Sequence, residues 1–161
     1  MKITLPDNSS RELPEGSSGY DLAKDIGPGL AKSAVAVSVD GVQRDLHDVI
    51  EGDASVSIIT IDSDEGIEIM RHTLTAQVLA RAIKNLYPKS KLAIGPTIDD
   101  GFYYDVESEK SISSDDLSKI EDEMKKIIKT KSSITKKLVS KSEALKAVSY
   151  THLTLPTNGT V

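Results

Sequence analysis

The sequence predicts an α+β fold in two parts, a small sheet built around one helix followed by a unit of helices and a hairpin. Short, alternating, β-branched segments recur through the first 61 residues, whereas apolar residues at three- and four-residue spacing recur from residue 69 onward. The length, 161 residues, suits one ordinary domain or two small ones. We therefore expect a sheet-rich first part and a helix-rich second part.

The chain starts with a predicted hairpin and helix. Residues 2–5 alternate polar and apolar side chains, and residues 7–10 (Asp-Asn-Ser-Ser) are typical of a turn. A helix is predicted next, because Ser18 or Gly19 can cap it and apolar residues then recur at near-helical spacing. The Gly-Pro-Gly sequence of residues 27–29 is predicted to end this helix.

Three strands are predicted in the rest of the first part. Residues 34–39 are β-branched and alternating, and Asp40-Gly41 is a strong hairpin-turn signal before a return strand that begins at Val42. Residues 54–61 form the last predicted strand. The order β-β-α-β-β-β within about sixty residues predicts a β-grasp-like sheet packed on one helix.

The second part begins with a helix and a hairpin. Residues 62–66 form a polar junction, after which apolar side chains line one stripe from Ile69 to Tyr87 and Pro88 ends the pattern. Residues 92–106 contain two strand-like runs with Gly-Pro and Asp-Gly turn signals, which predict a hairpin.

A second amphipathic helix, a strand and the start of a third helix are predicted in the remaining residues. Ser113 is an N-cap candidate with Asp116 in the first turn that follows. Residues 134–140 alternate like a strand, and a helix starts at Ser142.

The composition excludes several kinds of protein. The chain has no cysteine, which excludes disulfides, thiolate metal sites and a cysteine nucleophile within these residues. We expect no metal site in this chain. We also expect no membrane span and a cytoplasmic location, because no apolar stretch approaches the length that spans a bilayer. The net charge of -5 argues against sequence-blind binding to nucleic acid but leaves a local RNA-binding face open.

Several stretches resemble parts of one enzyme family. The segment Ile94-Gly-Pro-Thr-Ile-Asp-Asp-Gly-Phe-Tyr-Tyr-Asp105, together with residues 69–88, resembles the start of the editing domain of bacterial threonine–tRNA ligases. Residues 19–27 and 39–46 resemble the TGS domain that precedes it, which also suits stringent-response synthetases and some GTPases. The resemblance implies a TGS domain at residues 1–61 and a truncated editing domain at residues 62–147.

The resemblance implies a parent enzyme that joins threonine to its tRNA with ATP and whose second domain hydrolyses serine wrongly attached to that tRNA. In such enzymes the catalytic domain, which uses ATP, magnesium and zinc, and the anticodon domain lie downstream. We therefore expect no aminoacylation residues and no cofactor in this fragment. The expected partner is tRNA, bound through the full-length enzyme, and the parent is expected to be a homodimer through its catalytic domain.

The editing site implied by the resemblance is altered here. The family presents His-x-x-x-His on a helix and a later Cys-x-x-x-His. In this chain Ala76 stands four residues after His72, and Gln77 takes the place of the second histidine if a one-residue insertion is allowed. A glutamine can hold a water or a ribose hydroxyl but cannot accept a proton near neutral pH. The resemblance implies an editing pocket that includes His72, Gln77 and Tyr104.

Ordinary structural roles compete with these functional ones. His72 is also consistent with a capping or packing residue, and His47 with a loop residue. Residues 102–104 (Phe-Tyr-Tyr) can stack on a terminal adenosine, although strand alternation places part of the run in the core. The lysine-rich stretch from residue 119 to 141 can contact a tRNA backbone or form a solvated helix face.

Two further expectations concern the whole chain. Residues 148–161 resemble the peptide produced when sequencing-adapter DNA is translated, and we expect them to be an artefactual tail. The alternative to a ligase fragment is a standalone TGS-containing module that binds RNA or protein and catalyses nothing. A third hypothesis, a trans-acting deacylase, would need a general base and a pair of residues that position water.

Overall fold

A computed structural model describes residues 1–148 of the chain. The predicted tail at residues 148–161, apart from its first residue, lies outside the described residues. The chain divides into two compact units, Met1–Met70 and the residues from Arg71 onward. No helix among residues 1–148 combines the length and apolar character needed to cross a bilayer. The α+β fold class is confirmed.

The first unit contains a five-stranded sheet. Its strands are β1 (Lys2–Thr4), β2 (Ser10–Glu12), β3 (Ala34–Val39), β4 (Val42–Asp45) and β5 (Ala54–Thr60). Their spatial order is β2-β1-β5-β3-β4, with β1 parallel to β5 and the other neighbouring strands antiparallel. The pairing of β1 with β2 confirms the hairpin predicted at the start of the chain.

The predicted turn at Asp40-Gly41 is confirmed by its backbone geometry. The φ angles are 50° at Asp40 and 80° at Gly41. Positive φ at both central residues defines the type I′ turn that matches the twist of two hairpin strands. The Asp40 carboxylate also accepts a hydrogen bond from the Ser55 amide at 2.8 Å, which ties the turn to β5.

Helix α1 (Gly19–Ile26) begins after Ser18, one of the two caps that the sequence predicted, and Ser18 forms a capping box with Asp21. The Ser18 hydroxyl accepts a bond from the Asp21 amide at 3.3 Å, and the Asp21 carboxylate accepts one from the Ser18 amide at 2.9 Å. The hydrogen bonds that this carboxylate accepts from the amide and the hydroxyl of Ser18 hold the pKa of the Asp21 carboxyl below its usual value. Gly19 faces Val37 so closely that a Cβ there would lie 2.7 Å from the valine Cβ.

The predicted end of helix α1 at residues 27–29 is confirmed, since Gly27 is its C-cap, but the sequence did not predict that another helix follows directly. A short second helix, α2 (Pro28–Ser33), starts there. Gly27 serves both helices, since its amide donates to the Ala23 carbonyl at 3.0 Å and its carbonyl accepts from the Ala31 amide at 3.1 Å. Pro28 occupies the first helical position, where its missing N–H costs nothing and its fixed φ favours a new helix.

The core of the first unit lies between α1 and the sheet. Its side chains share almost complete burial and come from strands β1, β3 and β5, helix α1 and the flanking loops: Ile3, Leu13, Leu22, Val37, Val39, Ile50 and Val56. The central β strands therefore position α1 through apolar packing.

A long helical region follows the first unit's sheet. It consists of α3 (Asp64–Thr73), a π-helical segment (Leu74–Leu79) and α4 (Ala80–Leu86). The predicted start at Ile69 is therefore wrong, because Ser63 already caps the helix, its hydroxyl accepting a hydrogen bond from the Gly66 amide at 3.0 Å. The helix ends before Pro88, as predicted.

The second unit also contains the predicted hairpin. Strand β6 (Lys91–Leu92) pairs antiparallel with β9 (Val106–Glu107), and β7 (Thr97–Ile98) pairs with β8 (Gly101–Phe102). Between these pairs, the Ala93 amide donates to the Asp105 carbonyl at 2.9 Å and continues the ladder.

Helix α5 (Ser114–Lys129) begins at the predicted cap, where Ser113 and Asp116 form a capping box. The predicted helix start near residue 142 is also confirmed, as α6 (Lys141–Val148). The predicted strand at residues 134–140 is wrong, because these residues pair with no strand among the described residues and are exposed, Leu138 to 88%. Alternation favours a strand only where a sheet edge is available to pair with it.

Candidate functional site

A π-helical segment lies within the long helix that carries two of the predicted site residues. In this segment the Ala80 amide donates to the Thr75 carbonyl, five residues back, and the Thr75 hydroxyl donates to the Arg71 carbonyl at 2.8 Å. Thr75 is 1% exposed. A turn closed over five residues holds one more residue than an α-helical turn, and such segments are frequent at functional sites.

His72 and Gln77 lie before and within this wider turn. Both side chains are exposed, His72 in the last turn of α3 and Gln77 in the π-helical segment. Five residues of regular α-helix would place them about 140° apart around the axis, and the wider turn reduces that angle. The one-residue insertion inferred from the resemblance thus coincides with a segment whose geometry accommodates it.

Tyr104 belongs to the hairpin and lies in the core of the second unit. Its ring packs against the buried cluster of Ala80, Ile83 and Leu92, and burial raises the pKa of its phenol. A Cβ at Gly95 would overlap this ring and would lie 3.0 Å from the Thr75 methyl group. Glycine at position 95 is therefore what allows the hairpin, the tyrosine and the π-helical segment to meet.

Residues 102–104 follow the alternation that the sequence predicted. Phe102 and Tyr104 are half-buried, whereas Tyr103 is 57% exposed. All three line a cavity of about 710 Å³ whose other walls include Leu79 and Ile120. The core role expected for part of this run is thus present in Tyr104.

Neither of two cavities in the described part of the second unit is lined by all three predicted site residues. Tyr104 lines the 710 Å³ cavity, whereas Gln77 lines a separate cleft of about 360 Å³. His72 lines neither of them. Their assignment to an editing pocket stays a prediction.

The lysine-rich stretch has two different parts. On α5, Lys125 lies 2.7 Å from Glu121, and Lys119 and Lys126 lie 3.1 Å from acidic partners one turn away. These pairs fit the solvated helix face that the sequence allowed. Lys131, just past the end of α5, lines the 360 Å³ cleft together with Arg81. The sequence did not predict that Arg81 lies beside the same cleft as Lys131, since the two residues are far apart in the chain.

The first unit contains an aromatic pair that the sequence did not predict. His47 lies in a turn after β4, as expected, and its ring centroid is 5.1 Å from that of Tyr20 at an interplanar angle of 45°. The Lys24 ammonium lies 5.8 Å from the Tyr20 ring centroid. Within residues 1–148 there is no cluster of three or more His, Asp or Glu side chains that could hold a metal ion.

Comparison with known families identifies the first unit. Residues 1–60 match the sequence model of the TGS domain. The chain therefore begins with a TGS domain. The five strands of its sheet and helix α1, which packs on one face of the sheet, all lie within the matched residues. TGS domains occur in tRNA synthetases and in other proteins that bind RNA or protein.

Proposed function

We propose that this chain is the N-terminal region of a threonine–tRNA ligase and that it binds tRNA. The observation that carries the proposal is the TGS domain at residues 1–60. The resemblance of residues 94–105 to the editing domain of these ligases narrows the proposal from RNA or protein binding to this enzyme.

The geometry of the second unit supports this proposal. Residues 94–105 form the hairpin in which Gly95 accommodates the Tyr104 ring, so the most specific part of the resemblance is also a tightly constrained part of the fold. His72 and Gln77 lie along the neighbouring helix at a turn wide enough to absorb the inferred insertion. The arrangement suits a binding surface for the end of a tRNA.

His72 and Gln77 do not form the general-base arrangement that efficient hydrolysis needs. His72 is exposed and makes no hydrogen bond to another described side chain, and Gln77 has no group that takes up a proton near neutral pH. A general base positioned by a second group is what acyl-bond hydrolysis needs. In our proposal this region holds tRNA without deacylating it.

The proposal is tested by measuring binding of the 161-residue chain to a threonine tRNA transcript by fluorescence anisotropy. We expect a dissociation constant of roughly 1–100 μM that weakens as salt is raised, the range typical of binding dominated by phosphate contacts. Absence of binding throughout this range would contradict the proposal and favour a module that binds protein.

A second assay separates binding from editing. The same chain is added to tRNA charged with serine, and release of serine is followed with time. We expect the rate to equal that of spontaneous hydrolysis, because neither His72 nor Gln77 is positioned as a general base in the described part of the chain. Catalysed release would show that a deacylase activity is present and that His72 or another group supplies it.

A further inference from the structure

The cleft that contains Gln77 lies in the second unit between the long helix and the end of α5. It has a volume of about 360 Å³. Its apolar walls include Val78 and Ile127, and its rim carries the side chains of Arg81, Lys131, Ser133 and Thr135.

The charges around this cleft are of one sign. Arg81 and Lys131 line it, and none of its lining residues is acidic. Neither cation forms an ion pair with a residue in the described part of the chain, in contrast to the paired lysines on α5. Two cations in a concavity without a carboxylate form a region of positive potential on a chain whose net charge is -5.

Polar groups beside these cations are available as donors. The hydroxyls of Ser133 and Thr135 make no hydrogen bond to another described residue. The Ser132 hydroxyl is already bonded to that of Thr130 at 2.8 Å. Lys131 has a φ of 50°, the left-handed conformation that glycine usually takes after a helix. A charged side chain therefore occupies a position at which the backbone conformation favours glycine.

We propose that this cleft binds a backbone phosphate of an RNA strand, with Arg81 and Lys131 as its cationic ligands. A guanidinium donates two parallel hydrogen bonds to phosphate oxygens, and an ammonium adds a point charge. Both residues are exposed and the cleft opens to solvent, which suits a phosphodiester passing over the surface better than a small ion held in an enclosed pocket. The inference rests on the proposed tRNA binding and gives it a location.

The test compares two variants of equal charge in the full chain. Arg81→Gln/Lys131→Gln removes the cleft cations, and the matched control Lys125→Gln/Lys126→Gln removes two paired cations from α5. Affinity for the threonine tRNA transcript is measured over a range of salt concentrations. We expect the magnitude of the slope of log K against log salt to fall by about 0.7–0.9 in the cleft variant, as the loss of one phosphate contact predicts, and to change much less in the control. Circular dichroism verifies that both variants fold.

The outcomes separate this inference from the proposed function. If the wild-type chain binds tRNA and the two variants change the slope equally, the cleft assignment is overturned while tRNA binding stands. If the wild-type chain does not bind, the proposed function fails and the inference fails with it. Titration of the RNA-free proteins with inorganic phosphate at constant ionic strength gives the remaining arm. If phosphate binds the wild type but not the cleft variant, and both bind RNA with the same salt dependence, the cleft is a free-phosphate site and the RNA assignment is overturned.

Discussion

The Tyr104 ring packs directly against the backbone of Gly95, closely enough that any Cβ at position 95 would overlap the ring. Gly95 lies on the first arm of the hairpin that spans β6 to β9, and Tyr104 lies on the returning arm. Beside them the two arms are joined by a hydrogen bond from the Asp105 amide to the Ile94 carbonyl at 3.0 Å. The contact fixes the tyrosine against the buried cluster of the second unit.

Gly95→Ala tests this contact. We expect the second unit to lose about 1–3 kcal/mol of stability, because the added methyl group forces the ring or the hairpin to move. Hydrogen–deuterium exchange of peptides that cover residues 91–107 measures the loss. Gly101→Ala in the same hairpin is the control, since a Cβ there meets nothing within 4 Å. Equal exchange in the two variants would mean that Tyr104 moves aside at little cost.

Two glycines of the TGS domain should respond in opposite directions. A Cβ at Gly19 would lie 2.7 Å from the Val37 Cβ, so Gly19→Ala should push α1 away from the sheet and cost about 1–3 kcal/mol. Gly29 lies in α2 with open space around its Cα, so Gly29→Ala should gain about 0.4–1 kcal/mol by restricting the unfolded chain. Urea unfolding of the full chain gives both values. A loss on Gly29→Ala would contradict the open geometry described for α2.

The cap of α5 should depend on pH. The hydrogen bond that Asp116 accepts from the Ser113 backbone is the main cause that lowers its pKa from 3.8 to about 2, with a contribution from Lys119. Since the pKa of Asp116 is lowered in the folded state, the stability that this residue contributes is fully present above about pH 3.8. It is lost as the pH falls toward 2.

Helicity measured by circular dichroism during acid titration tests this dependence. Asp116→Asn removes the titrating group, so the loss of helicity in this pH range should be smaller in the variant than in the wild type. Asp115→Asn, in the same turn but outside the capping box, is the control. Identical titrations of all three proteins would show that the capping box contributes nothing through the charge of Asp116.

The π-helical segment predicts an unusual tolerance to deletion. Removing Ala76 should convert the wide turn into a regular α-helical one and leave Ala82 and Ile83 facing the core, with little loss of helicity. Removing Arg81 instead should rotate those buried residues away from the core and reduce stability by at least 2 kcal/mol, roughly the cost of losing buried apolar side chains. Circular dichroism with thermal unfolding compares the two deletions. If they are equally destabilising, the segment does not act as an absorbed insertion.

Local signals explain which elements could be predicted from the sequence. The box of Ser113 and Asp116 and the turn at Asp40-Gly41 are set by residues within four positions of each other, and both are present as predicted. The strand expected at residues 134–140 depended on a partner elsewhere in the chain, which the alternating pattern cannot supply. The sequence around Pro28 does not by itself distinguish the end of one helix from the start of another, because proline is compatible with both.

The candidate site was less predictable than the fold. His72, Gln77 and Tyr104 came from a resemblance, and their joint role in an editing pocket stays a prediction. Two features depend on tertiary packing, for which the sequence has no local signal: the contact of Gly95 with Tyr104, and the presence of both Arg81 and Lys131 in the lining of one cleft. The TGS domain was predictable because short strands, strong turns and a capped helix all agree over its length.

Our central proposal is that this chain is the N-terminal region of a threonine–tRNA ligase. Its most direct test is to sequence the source DNA across the codons for residues 146–161 and several hundred bases beyond. Our account predicts an open reading frame that leaves the present sequence near residue 148 and continues into a Cys-x-x-x-His pair and class II ligase motifs. A verified stop codon directly after Val161 would contradict it and leave a standalone TGS-containing protein.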